Sequence, residues 1–234
     1  MNFRNYLLSA MDDGDMAALG PSLTEVALLA GQVLHPAGEL IDMVYFPSSA
    51  VVSVVTPTMD GRSVESATVG FESLAGLSSA LSGEPSASRV FTQVGGGAIR
   101  LPAAKLRDRA LESPPLMQLL LRHMDAGICQ AQQAVACNAL HDAGPRLARW
   151  LLMTQDRVAG PVIPLTQEYL AIMLGVQRTT VTLVASALKR AGLIKYRRGV
   201  ITILDRDGLE REACECYGVS SQRFDKLLAP NHAH

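Results

Sequence analysis

Hydrophobic and polar positions follow two different rhythms along this chain, one typical of strands and the other of helices. Between Thr24 and Leu101, short apolar or alternating runs are separated at regular intervals by glycine, proline and serine. Many short strands with regular turn signals predict a sandwich, a jelly roll or a barrel. The predicted strands are residues 26–29, 33–35, 43–46, 51–55, 64–68 and 90–94, and the predicted turns include 36–38, 60–61 and 95–97.

Two short helices are predicted beside these strands. Residues 2–19 carry apolar side chains at helical spacing, which predicts one amphipathic helix. Residues 72–82 are expected to form another short helix between strands. The first part of the chain is therefore expected to combine a β-sheet core with a few helical turns.

Beyond Leu101 the apolar spacing becomes helical. Residues 103–112 are predicted to be a helix, and Ser113 and Pro114 are typical of the cap and first turn of a second one. This second helix can extend to Leu140, a length of roughly 40 Å at ~1.5 Å per residue. Its apolar and small residues recur at alternating steps of three and four, as in a coiled coil. The predicted seam consists of Met117, Leu120, Met124, Gly127, Ala131, Ala134 and Asn138.

Residues 165–194 have the pattern of two short helices joined by a turn. Thr166 is a typical N-cap, and Gly175 ends the first helix because glycine readily takes the positive φ of a helix C-terminus. The second helix, residues 177–190, turns Val181 and Leu188 inward. Such a pair is a helix-turn-helix, and the alternative is an ordinary helical hairpin with a solvated polar face. The outward face of the second helix contains Gln177, Arg178, Thr179, Thr180 and Thr182, which suit a helix that enters a major groove.

The segment after this pair predicts a β-hairpin with cations at its tip. Residues 195–204 form two β-prone runs around Arg198 and Gly199, and such a hairpin is a wing that can contact phosphates. Between Gly144 and Leu204, nine basic and two acidic residues give +7, whereas the whole chain carries −1. A basic segment within a near-neutral chain indicates a polyanionic partner.

Composition agrees with a folded chain of one or two domains. Of 234 residues, 48% are hydrophobic and 18% are charged, which is enough for a core and is not typical of disorder. No apolar run approaches the ~20 residues of a membrane span, and the N-terminus lacks a signal-peptide pattern, so a cytoplasmic location is expected. A break at residues 142–145 suggests the limits 1–113 for a β-rich domain, 114–141 for the long helix and 142–234 for the last domain.

The order of these parts resembles the Crp/Fnr superfamily of bacterial transcription regulators. The resemblance rests on Gly38-Glu39 with residues 44–47, on residues 146–152 and on residues 165–194 with the wing. It implies an α+β chain with an N-terminal β jelly-roll, cyclic-nucleotide-binding-like sensor domain, a long dimerisation helix and a C-terminal winged helix-turn-helix. It also implies a homodimer on a palindromic operator of double-stranded DNA, a small-molecule effector, and RNA polymerase as a further partner.

The family's DNA contacts carry over only in part. Arg178 stands where the family usually has a guanine-binding arginine, but Thr179 replaces a frequent glutamate and Leu183 replaces a further arginine. Arg197 and Arg198 are expected on phosphates. Thr166 and Gln167, at the start of the first helix, complete the predicted DNA-binding set.

The effector pocket departs further from the family pattern. Cyclic-nucleotide-binding members use Gly-Glu and an arginine that pairs with the cyclic phosphate. Here Phe71 interrupts the corresponding Gly70 and Glu72, and Pro85 occupies the arginine position before Ser86. Arg89 is the nearest cation, and on a strand it can face either way. Gly70, Glu72, Ser86 and Arg89 are the candidate pocket residues, and binding of cyclic AMP is not expected, because a buried anion needs a cation.

No metal site, cofactor or catalytic site is expected. Cys129 and Cys137 lie about 12 Å apart along one helix, and Cys214 and Cys216 are expected on a helix with their thiols pointing apart. They are interpreted as structural thiols, with redox sensing as the alternative, and His35 and His123 as structural histidines. A metal-binding cupin enzyme would need converging ligands that the β-rich part does not offer. A ligand-binding regulatory module without DNA binding is the remaining alternative.

Overall fold

The N-terminal part of the molecule is a roll of two antiparallel sheets. In the computed structural model, residues 4–158, 160–197, 199–219 and 222 are described. One sheet has the strand order β1-β7-β3 and the other the order β2-β6-β4-β5. The strands are β1 Thr24–Leu28, β2 Val33–His35, β3 Met43–Pro47, β4 Val51–Pro57, β5 Ser63–Val69, β6 Arg89–Val94 and β7 Gly96–Pro102.

Strand β7 corrects the prediction of a turn at residues 95–97. Gly96 and Gly97 pair with β1 inside the sheet, opposite Leu28 and Ala27. The glycines allow a close approach rather than a turn, since a Cβ on Gly96 would stand 2.6 Å from the backbone nitrogen of Ala50. Glycine in a strand interior often marks such a contact.

Two helical predictions in this part are also corrected. Residues 2–19 contain two helices, α1 Tyr6–Ser9 and α2 Asp13–Leu19, because Asp12 caps the second one by accepting a 2.7 Å hydrogen bond from the amide of Asp15. Residues 1–3 lie outside the described part. The predicted helix 72–82 is shorter, α3 Leu77–Ser82. Residues before it form turns that end at Gly76, whose φ is 94°.

The helices that follow agree with the prediction. They are α4 Ala103–Glu112 and α5 Pro114–Leu140, and the Ser113 side chain caps α5 by accepting from the amide of Leu116. The first half of α5 packs on the sensor core through Leu116, Leu119 and Leu120. The long helix is thus anchored in the β roll at its N-terminal end.

The C-terminal part is a small helical domain with a three-stranded sheet. Its elements are α6 Ala143–Gln155, β8 Val162–Pro164, α7 Gln167–Leu174, α8 Arg178–Arg190, β9 Ile194–Arg197, β10 Val200–Ile203 and α9 Arg206–Glu212. The sheet order is β8-β10-β9. Val51 and Phe91 of the sensor share one apolar cluster with Leu151 and Ile163, and the Phe91 and Tyr169 rings stack at 5.4 Å. The two parts therefore share a core.

Within the described residues, no single helix has both the length and the apolar character needed to cross a membrane. Only α7 and α8 taken together pass that test of length and composition, and they are bent by 100° relative to each other.

Candidate nucleic-acid interface

The positions of α7 and α8 are fixed by two local features and by one contact from α6, which is distant in sequence. The Thr166 hydroxyl accepts a hydrogen bond from the amide of Tyr169 and caps α7. Gly175 ends α7 at a φ of 61°, a left-handed conformation that glycine adopts without a steric penalty. The guanidinium of Arg146 donates to the carbonyl oxygen of Leu174, where a cation also suits the negative end of the helix dipole. The angle between the two helices is thus determined by the sequence around them.

Helix α8 turns an apolar face inward and a polar face outward. Val181, Ala185 and Leu188 are buried in the domain core. The predicted DNA-binding residues Gln177, Arg178, Thr179 and Thr182 are exposed, and Thr180 is half-buried. Gln177 is the N-cap, so the helix proper begins at Arg178, one residue later than predicted. The structure therefore brings these side chains together on one accessible surface.

Arg178 and Thr182 each have an intramolecular partner. The guanidinium of Arg178 lies 3.2 Å from the carboxylate of Glu168, and both side chains are 65% exposed. Such an exposed ion pair contributes only about 0–1 kcal/mol, so a nucleic acid can displace it. The Thr182 hydroxyl donates to the carbonyl of Arg178 at 3.0 Å, which engages its proton within the helix. Leu183 is 67% exposed on the same helix.

The wing is present where it was predicted. Strands β9 and β10 are joined at Gly199, whose φ is 77°, and its carbonyl accepts a 2.7 Å hydrogen bond from the amide of Leu165. Thr166 and Gln167 are exposed next to this point, as are Lys195 and Arg197 on β9. Arg198 lies outside the described residues, so its predicted phosphate contact has no placement.

Fewer basic residues are exposed at the surface than the count of charges between Gly144 and Leu204 suggested. Arg146, Arg149 and Arg157 are only 8%, 8% and 6% exposed, because they make hydrogen bonds inside the protein. A count of charges cannot distinguish such arginines from solvated ones. Among the described basic residues between Gly144 and Leu204, the exposed ones are Arg178, Lys189, Arg190, Lys195 and Arg197.

Two buried contacts join the β roll to α6 and to Arg157, which follows it. The indole nitrogen of Trp150 donates to Oε2 of Glu65 at 2.6 Å, and Arg157 contacts Glu72 at 2.8 Å. Burial raises the pKa of Glu65 to about 7, although hydrogen bonds from Ser53 and Trp150 oppose the rise. Both carboxylates link the β roll to the C-terminal part of the chain, and neither role was predicted.

A cavity of about 480 Å³ lies between β5, α3 and α5. Glu72 and Ser86 of the predicted pocket line it, whereas Gly70 and Arg89 do not. Arg89 is exposed, and its guanidinium lies 5.1 Å from the centre of the Phe91 ring instead of facing this cavity. Among the described residues, no lysine or arginine lines the cavity.

The cavity wall formed by α5 contributes two buried polar groups. Nδ1 of His123 and Nε2 of Gln130 have no hydrogen-bond partner within the described chain. Burial lowers the pKa of His123 to about 4, and the charge of Arg122 adds to this effect. The imidazole is therefore neutral at physiological pH. His35, in contrast, lies 2.8 Å from the carbonyl oxygen of Met43 through Nε2, in agreement with a structural role.

The prediction that the cysteines stand apart was wrong for three of them. Helix α9 ends at Glu212 and the backbone is extended at Ala213, so Cys214 does not lie on a helix with Cys216. The thiols of Cys214 and Cys216 lie close to the thiol of Cys137 and to the ring of His141. Cys129 is half-buried and lies outside this cluster.

Comparison with known proteins gives the same architecture. The family model of the Crp-like helix-turn-helix domain matches residues 145–212. No curated protein sequence matches the chain.

Several solved structures are similar over most of the chain. A regulator of the Crp/Fnr family from Eubacterium rectale has a TM-score of 0.70 at 18% identity, covering 88% of this chain and 96% of its own. FixK2 from Bradyrhizobium japonicum has a TM-score of 0.70 at 18% identity, covering 82% and 98%. A CRP-family regulator from Thermus thermophilus has a TM-score of 0.68 at 24% identity, covering 81% and 96%. The chain therefore has the fold of the Crp/Fnr superfamily of transcription regulators, and its residues 145–212 match a Crp-like helix-turn-helix domain.

Proposed function

We propose that this protein is a transcription regulator that binds a palindromic operator as a homodimer. The observation that carries the proposal is the exposed polar face of α8, which begins at Arg178 and lies opposite the buried face of Val181, Ala185 and Leu188. The recognition helix 177–190 enters the major groove, and the wing 195–204 lies on the backbone. RNA polymerase as a partner and a cytoplasmic location belong to the same proposal.

The residue roles follow from exposure and chemistry. Arg178 makes a bidentate contact to a guanine, and Leu183 offers an apolar surface to a thymine methyl group. Gln177, Thr179, Thr180 and Thr182 surround this contact. Thr166 and Gln167 place the amides of the α7 N-terminus at a phosphate, as helix N-termini do for anions. Lys195, Arg197 and Arg198 contact phosphates, which position the protein without specifying sequence.

The homodimer forms through α5, but only one of the two rows of residues predicted for the seam takes part in the interface. Leu120 and Ala134 are 0% and 7% exposed, because they pack within their own chain. Leu121, Ile128 and Val135 are 49%, 52% and 71% exposed and recur every seven residues. With the predicted Met117, Met124, Ala131 and Asn138 they complete a heptad seam. Ile128 and Val135 are β-branched residues at one heptad position, which favours parallel two-stranded coiled coils.

The proposed regulator consists of a β-rich domain of residues 1–113, the long helix 114–141 and a last domain of residues 142–234. A parallel pair of α5 helices places both C-terminal domains at the same end of the dimer. Two recognition helices can then meet half-sites one helical turn apart, about 34–36 Å. Selection of bound duplexes from a random pool should return an inverted repeat with that spacing. Recovery of duplexes without any common motif would contradict the proposal.

A salt series tests whether DNA binding occurs at all. If the chain were a ligand-binding module without DNA binding, a fluorescent duplex would show no salt-dependent complex. A DNA-binding protein releases counterions, so its observed association constant falls steeply as salt rises. Anisotropy titrations of the selected duplex at several salt concentrations separate the two functions.

Replacing Arg178 with alanine should reduce the preference for the operator over a scrambled duplex. One good bidentate contact contributes about 1–3 kcal/mol of discrimination between bases. Arg197→Ala should instead weaken binding to both duplexes alike, because phosphate contacts carry no sequence information. Arg211 is 73% exposed on α9 and belongs neither to α8 nor to the wing, so Arg211→Ala is the matched control. An unchanged ratio in the Arg178 variant would show that another residue specifies the operator.

We further propose that the effector is an uncharged small molecule that occupies the 480 Å³ cavity. Glu72 is already paired with Arg157, and the walls offer serine, threonine, His123 and Gln130 as polar partners. Nδ1 of His123 can accept or donate a hydrogen bond to a ligand, depending on the tautomer, and Nε2 of Gln130 can donate one. A small number of polar groups in an apolar cavity is typical of ligand sites.

Cyclic AMP should not bind in this cavity. Its phosphate would be a buried anion beside Glu72 with no lysine or arginine of the described residues in the wall, and an unpaired buried charge is costly. Isothermal titration calorimetry of the full chain with cyclic AMP should show no saturable heat, with and without the selected duplex. Tight binding that also strengthens the DNA complex would contradict this part of the proposal.

A further inference from the structure

Four side chains with metal-binding chemistry meet at the junction of α5 and the C-terminal segment. They are Cys137, His141, Cys214 and Cys216, and one ligand atom from each lies within 4.8 Å of all the others. The Sγ atoms of Cys137 and Cys214 are 3.5 Å apart, and Sγ of Cys216 is 3.6 Å from Nδ1 of His141. The cysteines are 0%, 7% and 1% exposed.

The backbone explains why these atoms converge. Cys137 and His141 are four residues apart, in the last turn and at the C-cap of α5, and therefore point in the same direction. Cys214 follows Ala213, whose backbone is extended at the end of α9, and a helical turn begins at Cys216. This change of conformation brings two thiols that a continuous helix would separate to the same side.

The spacing fits a single tetrahedral ion. Zinc–sulfur bonds of about 2.3 Å and zinc–nitrogen bonds of about 2.0–2.1 Å place neighbouring ligand atoms roughly 3.5–3.8 Å apart. The two distances above agree with that geometry. An iron–sulfur cluster is a poorer fit, because its protein ligands bind different iron atoms and stand farther apart.

The groups around the four side chains also match a metal centre. Nε2 of His141 lies 3.2 Å from a carboxylate oxygen of Glu215, which would orient the ring with Nδ1 toward the ion. The side-chain amide of Gln133 donates to Sγ of Cys216 at 2.9 Å. The guanidinium of Arg149 contributes a positive charge close to Cys137. A site of three thiolates and one divalent ion has a charge of −1, which this guanidinium offsets.

We propose that Cys137, His141, Cys214 and Cys216 bind one Zn²⁺ ion per chain through three thiolates and one imidazole. Binding releases the three thiol protons, and the imidazole coordinates in its neutral form. Four protein ligands leave no open position, so the site is structural and not catalytic. It ties the end of the dimerisation helix to the segment after α9 across α6. None of the four residues lies within residues 145–212, so the matched domain does not include the site.

The zinc content of the purified full-length protein tests this proposal. Protein prepared under reducing conditions should contain one zinc per chain, and cobalt substitution should give the visible absorption of a tetrahedral site with sulfur-to-metal charge transfer. Cys216→Ser should lose the zinc. Cys129→Ser is the matched control and should keep it, since Cys129 lies outside the cluster.

Two further variants separate metal binding from a general loss of folding. His141→Cys should retain one zinc, because four thiolates also form a structural zinc site. Glu215→Ala removes only the group that orients His141, and should weaken zinc about 10- to 100-fold in a chelator competition. Circular dichroism spectra should remain native for both variants.

Three results would overturn the proposal. They are reduced protein that binds neither zinc nor cobalt, a purified chain that contains an iron chromophore instead, and a disulfide between Cys137 and Cys214 in protein isolated without oxidant. Each is independent of DNA binding, so failure here leaves the proposed function untouched.

Discussion

Replacing Leu121 and Val135 with glutamate should convert the protein from a dimer into a monomer and largely abolish operator binding. Both side chains are exposed in the single chain and lie in the heptad row that we assign to the dimer seam. In a parallel pair each glutamate would face its own copy, so like charges would be forced together in place of an apolar contact. A monomer contacts one half-site at a time, and loss of the second contact lowers affinity by about 10²- to 10⁴-fold.

Neither substitution should harm the fold of one chain, because neither residue lies in the cavity wall or the core. Light scattering gives the oligomeric state, and anisotropy with the selected duplex gives the affinity. Leu111, which is 72% exposed on α4, provides the matched control as Leu111→Glu. If the double variant remains dimeric, α5 does not hold the dimer through this row.

The seam shows what a pattern of residues can and cannot decide. Alternating steps of three and four correctly predicted the helix α5, and one row of the predicted seam is retained in the interface that we propose. They could not show that Leu120 packs on the β roll while Leu121 remains exposed, because both are leucines on a helix with apolar residues on two sides. Which of the two leucines is buried depends on the position of the β roll, which is set by contacts between residues far apart in sequence.

In the helix-turn-helix and the wing, local signals were more reliable than long-range ones. Thr166, Gly175 and Gly199 act through neighbouring backbone groups, and the structure places them as predicted. The burial of Arg146 depends on a carbonyl 28 residues away. The thiol cluster joins residues 77 positions apart, so its spacing in sequence resembles no common metal motif.

The contact between Glu72 and Arg157 connects the cavity to the DNA-binding part. Glu72 lines the cavity, and Arg157 follows α6, whose Trp150 also contacts the sensor through Glu65. In the function that we propose, a ligand that changes the position of Glu72 would act directly on the element that supports the helix-turn-helix. The buried ion pair would then couple the two parts of the molecule in addition to α5.

Arg157→Met should destabilise the interface between the two parts by about 3–5 kcal/mol, the usual cost of leaving one partner of a buried ion pair unpaired. The side chains of Arg157 and Glu72 are only 6% and 5% exposed, so water cannot replace the lost guanidinium. Glu72→Gln together with Arg157→Met should cost much less than the sum of the single changes, since no charge is then left unpaired.

Trp150 gives this prediction a local readout. It is the single tryptophan of the chain, and its indole donates to Glu65 at the interface. Urea titrations followed by tryptophan emission report the interface, and far-ultraviolet circular dichroism reports the helices. In the Arg157 variant the emission transition should move to lower urea before the helices unfold.

Arg62→Met breaks the exposed pair with Asp60, with side chains 85% and 53% exposed, and should cost at most about 1 kcal/mol. Equal losses in the two variants would mean that the buried pair contributes no more than an exposed one, and that the apolar cluster of Phe91 and Leu151 alone holds the parts together.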